Sequence, residues 1–416
     1  MPLKYYRLNL RETCKLMPII GLIREGKTPA DNRVALTPAQ CRWLKINVPE
    51  ISILVQTSPN RCFSDKEYQQ AGVTITENMS DCDILLGIKE VPKEQLIPNK
   101  TYLFFSHTKK LQPYNQAMLM EMVKKKITLI DYECLEHDDG KRIIGFGFFA
   151  GVVGAHNGIM AYGNRTGTFH LEKVNSSKNL QYLIHTYFGL KLPNLRIAVT
   201  GSGRVAHGIV EIMNLLEITE VDPEDYLTKI FAYPVYVHLK GGKLYRRKDN
   251  GPYQREDFHH HPEQYECLFH KYIGCTDILM NGIYWQKNIQ PLFEVADVQN
   301  PDFSILTIAD ITDDMHGSVP INLGDSTIDD PVYGVDRNTL QKTAPYLPNS
   351  IDVMAVGNLP NELPKDASRY FGEQLIKYIL RDLIEGNSKI IDRARILDKG
   401  KLTGLFAYME DYALGK

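Results

Sequence analysis

Groups that move protons recur at matching places in the first third of the chain. Lys89 follows the apolar run Asp83-Ile-Leu-Leu-Gly-Ile88, His107 follows Thr101-Tyr-Leu-Phe-Phe-Ser106, and Glu133 closely follows Ile127-Thr-Leu-Ile130. Lysine and histidine act as general acids and bases when their pKa lies near the working pH. Glu90 and Glu133 are the carboxylates that could tune them. Arg33, in Asp31-Asn-Arg33-Val-Ala-Leu-Thr37-Pro, and Arg142, after Asp138-Asp-Gly-Lys141, are forks suited to clamping carboxylates. Each has a plainer reading. Lys89-Glu90 fits a solvated pair before a proline turn, His107 a cap on Thr108-Lys-Lys, and either arginine a surface residue.

A second kind of chemistry is written at Leu195 to Gly208, LRIAVTGSGRVAHG. The β-prone run Ile197 to Thr200 breaks into Gly201-Ser-Gly203-Arg204-Val205-Ala206, and apolar residues at helical spacing follow. Strand, glycine turn and helix start is the context in which G-x-G-x-x-G/A binds a dinucleotide. Gly201 permits the turn, Gly203 lets backbone N–H groups approach a pyrophosphate, and the helix N-terminus favours its charge. Asp222 lies about 20 residues on, where an acid holds ribose hydroxyls. The plainer reading is a glycine turn without a ligand.

The elements that must position these groups alternate strand and helix from Ile19 onward. Thr37 and Pro38 open a helix, Ile51 to Val55 is a strand, Asp65 to Ala71 is helical, and about Gln112 to Lys125 is an amphipathic helix. Near-continuous apolar strands separated by helices indicate a parallel sheet buried on both faces. Lys89, His107 and Glu133 then share its carboxyl edge, where ligands bind. A long helix is expected within 145–190, its small residues allowing close packing. Asn281-Gly282-Ile283 and Asp310 fall at strand tips of the second sheet. The expected fold is α/β, with two Rossmann-like domains of parallel sheets and a cleft between them. The first domain is discontinuous, 17–150 plus 325–416, through a returning helix over Ala367 to Ile384. The dinucleotide domain is 151–324, with a polar insertion at 236–266. Residues 1–16 carry no assigned role.

Composition narrows the partners. A chain of 416 residues suits two domains. Its net charge of −2 argues against nucleic acid. No apolar run reaches the ~18 residues a spanning helix needs, and no signal peptide is visible. Seven cysteines, scattered and without CxxC, point to a reducing cytoplasm and against zinc. The consecutive His259, His260 and His261 sit in a polar stretch and are not taken as metal ligands.

The opening IIGLIRE…DNRVALTP resembles the alanine dehydrogenase and transhydrogenase family. GIKEVP, TYLFFSHTKKLQ, LIDYE, GKRIIGFGFFAGV, LMNGIYW, IADITDD, GNLPNELPKDASRYFG and DRARILDKGKL look like the lysine–2-oxoglutarate reductase module and the fungal lysine-forming saccharopine dehydrogenases. The likeness covers about residues 18–405. The polar insertion is more similar to the reductase module.

The resemblance implies an NAD(P)-dependent oxidoreductase that interconverts lysine plus 2-oxoglutarate with saccharopine. It implies Lys89 and His107 as acid–base catalysts, with Glu90 and Glu133 moderating charge. Arg33 and Arg142 match carboxylate-binding arginines, and Gln112 and Phe146 match substrate contacts. Gly201, Gly203, Arg204, Val205, Asp222 and the Asp310 loop match the cofactor side, while Asn281, Gly282 and Ile283 match the join of cofactor and substrate. Lys141 stands where the fungal enzyme has an arginine near a cofactor phosphate. Asp222 should repel a 2′-phosphate, which leans the reading to NAD over NADP, although Arg204 could partly offset it. A separate saccharopine-cleaving enzyme would be a partner. The rivals are another amino-acid dehydrogenase of the superfamily, a non-catalytic nucleotide-binding regulator, and a transhydrogenase subunit, for which the chain offers no membrane partner.

Overall fold

The structure is a computed structural model that describes residues 18–176, 179–386 and 388–416. Residues 1–16 lie outside the described residues. Two units form, one from the residues up to 146 together with 364–416, the other from 147–363.

The first unit is built on strands β1 (Ile19–Leu22), β2 (Ser52–Gln56), β3 (Thr74–Thr76), β4 (Ile84–Leu86), β5 (Thr101–Phe104) and β6 (Thr128–Asp131). They lie parallel in the order β6-β5-β4-β1-β2-β3. An antiparallel hairpin, Arg395–Asp398 and Lys401–Leu402, extends the β6 edge. The apolar runs are strands because both faces are covered. Ile20, Leu85, Leu103 and Leu129 are fully buried. Thr37 caps the helix Pro38–Asn47 through a reciprocal bond with Gln40, with proline at the first turn. Chain order reverses between β1 and β4, and such a switch point opens a crevice at the carboxyl ends of the strands.

The second unit carries β7 (Arg196–Thr200), β8 (Thr219–Glu220), β9 (Val235–Leu239), the hairpin β10 (Tyr245–Arg247) and β11 (Tyr265–Cys267), then β12 (Ile278–Asn281), β13 (Thr307–Asp310), β14 (Val332–Asp336), β15 (Lys342–Thr343) and β16 (Ser350–Met354). Its main sheet runs β15-β14-β16-β13-β12-β7-β9-β8, parallel except for β14 and β15. The switch point lies between β7 and β12.

Both units are thus Rossmann-like, and the first is discontinuous, as the sequence predicts. Two boundaries differ. The return to the first unit comes at 364 rather than 325, because β14, β15 and β16 complete the second sheet, with Ile351 and Val353 fully buried. The polar insertion begins after β9 rather than at 236. Tyr236 and His238 give that strand a polar look, yet all five of its residues are buried. The remainder of the insertion is the β10–β11 hairpin and the helix Arg255–His260.

The long helix is Gly147–Thr166, inside the expected 145–190. It crosses the helix Arg204–Leu215 at two glycines. A Cβ on Gly151 would stand 2.0 Å from Val205 O, and one on Gly208 would stand 2.0 Å from Phe148 O. The small residues expected to permit close packing therefore seat one helix on the other, backbone against backbone. Gly208→Ala should destabilise the protein by about 1–3 kcal/mol or more through overpacking. A urea melt should show a lower midpoint, and an unchanged midpoint would contradict the contact.

Candidate active site

The crevice edge of the first sheet collects charge. Lys89 and Glu90 follow β4, His107 follows β5, and Glu133 follows β6. His107 Nδ1 is 2.7 Å from Glu90 Oε1, and Lys27 Nζ donates to Glu90 Oε2 at 3.0 Å. Glu90 therefore bridges the tips of two adjacent strands and a loop lysine. Burial alone would raise its carboxyl, but the histidine bond and charge outweigh this, and with Lys27 hold it at about 2. Its Oε1 fixes the imidazole from one side, leaving Nε2 as the ring's other proton-transfer position. His107 adopts a left-handed backbone, φ +51°, an uncommon conformation for a residue other than glycine.

Lys89 is the group most altered by its surroundings. Burial first, then the nearby positive Arg33, lowers its pKa to about 8 against the opposing pull of Asp31 and Glu90. A lysine so placed exchanges its proton near neutral pH.

Arg33 is buried, 3% exposed, and its Nε donates to Asp31 Oδ1 at 2.9 Å. Its guanidinium lies 4.2 Å from the Phe146 ring centroid. Burial opposes ionisation of Asp31, yet Arg33 holds its carboxyl at about 2. This arginine is no loose surface residue, and Asp31 engages its fork. Arg142 donates from Nη2 to Glu133 Oε1 at 2.8 Å and keeps a side chain 40% exposed. Burial works against it, but Arg142, Lys109, Lys110 and His107 together hold Glu133 below the usual carboxylate range. Gln112 precedes the helix Pro113–Lys124 and accepts from Tyr114 Oη. Lys141 is exposed and paired with Asp139 in its own turn.

Sequence reasoning passed over Glu25, Lys27 and Asp31. All three lie just past β1, on the switch-point side of the sheet. Glu25 is half-buried. Burial and the neighbouring Asp31 push its carboxyl up to about 8, against the pull of backbone donors and Arg33. The stretches IIGLIRE and DNRVALTP contain Glu25 and Asp31. The strand order was the missing signal.

In the second unit the glycine turn has the form its sequence requires. Gly201 has φ +106°, and a Cβ there would stand 2.4 Å from Gly282 O. A Cβ on Gly203 would meet nothing within 4 Å, so the turn is open on that side. The helix Arg204–Leu215 begins at once, with Gly203 as its N-cap and no side-chain capping bond. Arg204 and Val205 are its first residues, and Ala206 is fully buried. His238 Nε2 donates to Gly201 O at 2.8 Å and fastens the turn to β9. An open turn of this kind at a helix N-terminus fits a dinucleotide's pyrophosphate.

Three other expected contacts behave differently. Asn281 and Asp310 are fully buried in a neutralising network. Thr200 Oγ1 donates to Asn281 Oδ1 at 2.8 Å, Asn281 Nδ2 donates to Asp310 Oδ1 at 2.8 Å, and Asn322 Nδ2 donates to Asp310 Oδ2 at 2.8 Å. Their side chains tie three strand tips together. Next to them, Gly282 and the buried Ile283 pack against the turn. Asp222 is not brought to the strand beside the glycine turn. It follows β8, which pairs only with β9, and its exposed carboxylate lies 3.5 Å from Lys243 Nζ. The residue that follows β9, the strand adjoining β7, is the exposed Lys240.

Residues 21–153 match the alanine dehydrogenase/PNT N-terminal domain. The backbone resembles an L-alanine dehydrogenase with TM-score 0.65 and 14% identity, over 95% of this chain and 99% of that one. The chain is thus an α/β protein of two Rossmann-like units, similar in fold to the alanine dehydrogenase structure. Its sequence relatives are more particular. It is 30% identical to the rat mitochondrial α-aminoadipic semialdehyde synthase over 94% of this chain and 48% of the relative. It is 25% identical to the saccharopine dehydrogenase [NAD(+), L-lysine-forming] of Yarrowia lipolytica over 91% of this chain and 96% of the relative. The chain therefore spans about half the length of the semialdehyde synthases and nearly all of the fungal enzyme.

Gly201→Ala should weaken binding of NADH and NADPH roughly tenfold or more, at least the ~1.4 kcal/mol that corresponds to a decade. The positive φ and the Gly282 carbonyl both oppose the new methyl. A fluorescence titration checks this, and unchanged affinity would remove the turn from the cofactor site.

Proposed function

We propose that this chain is an NAD(P)-dependent oxidoreductase that interconverts L-lysine plus 2-oxoglutarate with saccharopine. The observation that carries the reading is the placement of Lys89 and His107 on adjacent strand tips with Glu90 between them. The glycine turn at Gly201 and Gly203 and the start of the helix Arg204–Leu215 would hold a nicotinamide dinucleotide, which would supply the hydride chemistry. In the direction of saccharopine breakdown the secondary ammonium must first lose a proton. Lys89, with its ammonium form disfavoured by burial, is the acceptor. The imine left by oxidation must then gain water, and His107 Nε2 takes the proton from that water while Glu90 holds the other ring nitrogen. Arg142 supplies an accessible fork for a substrate carboxylate, and Arg33 stiffens the loop beside it. Saccharopine made here would be the substrate of a saccharopine-cleaving activity. The described cysteines are free thiols, which accords with a reducing, cytoplasmic setting.

The cofactor reading turns on strand order. The residue past the strand beside the glycine turn is the one that meets the adenosine ribose. Here that is Lys240, a cation suited to a 2′-phosphate, which tips the preference to NADP(H) and away from the NAD lean that rested on Asp222. Lys240→Ala should weaken NADPH roughly tenfold while leaving NADH within about twofold, the loss expected for one charge-assisted phosphate contact. Equal effects on both would refute the placement.

The founding assay mixes the protein with lysine, 2-oxoglutarate and NADPH or NADH and follows oxidation of the cofactor. Alanine-type substrates, pyruvate with ammonium, serve as the rival arm. Turnover only in the rival arm would replace the reading. Lys89→Met and His107→Gln should each slow turnover by roughly 10²-fold or more with dinucleotide affinity unchanged.

The pH dependence has a definite sign. Lys89 must be neutral to accept a proton, so kcat/KM for saccharopine oxidation should rise with pH through about 8 and level off above it. Lys89→Met should lack that limb. A limb that survives in Lys89→Met belongs to another group.

A further inference from the structure

The backbone ladder between β1 and β4 ends one residue past the strands, where Ile23 N–H donates to Leu86 O at 3.0 Å. Beyond that bond the two chains part to open the crevice. Gly87 N–H is still taken by Leu103 O on the β5 side. The next two donors, Ile88 N–H and Lys89 N–H, have lost their ladder partner in a partly buried place. A buried unpaired N–H is costly. One side chain takes both. Ile88 N–H donates to Glu25 Oε1 at 2.7 Å, and Lys89 N–H donates to Glu25 Oε2 at 2.8 Å. Each bond runs from a backbone N–H on the β4 segment to a side-chain oxygen on the β1 segment, so the Glu25 carboxyl group continues the sheet across the switch point after the backbones have separated. It fixes the main chain of the residue whose side chain does the proton transfer.

We propose that Glu25 is a positioning residue for Lys89, holding the strand-tip backbone so that the lysine ammonium stays inside the crevice. This rests on the proposed function for its kinetic consequence but not for its geometry. No shorter or singly accepting side chain can replace it. Glutamine offers one acceptor oxygen and turns an N–H₂ against the second donor. Aspartate is one methylene short of spanning both. With the clamp gone, Lys89 is free to relax toward water and its ordinary pKa. Arg33, Asp31, Lys27 and Glu90 face the lysine from the neighbouring segments and remain in every variant.

The test reads Lys89 directly. Trace acetylation across a pH series, followed by peptide mass spectrometry, gives the titration midpoint of Lys89 without needing turnover. The wild type should titrate near 8, and Glu25→Gln should move the midpoint up by a unit or more. A carboxylate acting only as a nearby negative charge would give the opposite sign, since its removal lowers a lysine pKa. A fall, no change, or a wild-type midpoint at the ordinary 10.5 overturns the proposal. Circular dichroism checks folding, and Glu25→Asp stands in where the glutamine variant fails to fold. In the active enzyme, Glu25→Gln should lower kcat about tenfold with dinucleotide affinity unchanged, and should cost nothing further in a Lys89→Met background. Equal losses in both backgrounds would mean a general structural role. Wild-type protein without saccharopine turnover would defeat the proposed function, while the labelling result would still decide the role of Glu25.

Discussion

Charges buried at the carboxyl ends of parallel strands must be compensated where they stand, and the first unit is arranged around that constraint. An isolated buried charge costs far more than a folded protein can spare. The charges therefore come in linked sets, Asp31 with Arg33, Lys27 with Glu90 and His107, and Glu133 with Arg142. Glu90 and Asp31 are held low by these partners. Lys89 is where compensation falls short, and its pKa drops toward neutrality. The chemistry available to this edge is a consequence of how the surrounding charges are settled. Removing a partner would change the proton affinity of Lys89 before it changed the fold.

The second unit meets the equivalent problem with few charges. Its switch point is made of glycines in backbone contact and of a buried network in which Asn281, Asn322 and the Thr312 hydroxyl close around Asp310. Burial raises the Asp310 carboxyl, opposed by its amide and hydroxyl donors. What remains at the tip is backbone N–H at a helix start, a donor set with no titration of its own. One edge is suited to proton transfer across a range of pH, the other to holding a polyanion without regard to pH.

Much of this was legible in the sequence because both-face burial writes parallel strands as apolar runs, and the residue after each run is then a crevice residue. Lys89, His107, Glu133 and the glycine turn follow from that rule alone. The capped helix at Thr37 was legible because its capping residues are local. Strand order was not. Asp222 stands at the right distance along the chain but one strand too far across the sheet, since β9 inserts between β8 and β7. Side-chain rotation was equally hidden, so the bond from Asn281 to Asp310 left no mark in the sequence. Glu25 went unassigned because its partners are backbone N–H groups 63 and 64 residues away, which leave no mark on composition or periodicity.

The discontinuity of the first unit also has a physical reason in the site. The loop that leaves β1 and carries Arg33 is long and has no strand of its own to hold it. The returning segment supplies the missing wall. Ser368 Oγ accepts from Val34 N–H at 2.9 Å, and Gln40 Nε2 donates to Arg369 O at 2.8 Å. Phe371 stacks on Phe146 at 4.7 Å with the rings 9° apart, and Phe146 in turn underlies the Arg33 guanidinium. Gly372 has no room for a Cβ, which would fall 2.2 Å from Gln40 Oε1. A buried arginine needs a rigid floor as well as a counter-ion, because a guanidinium free to swing would leave Asp31 unpaired. Asp31 supplies the charge and the helix Pro364–Gln374 supplies the floor. The chain must therefore come back to its first sheet before the loop beside Lys89 can be ordered.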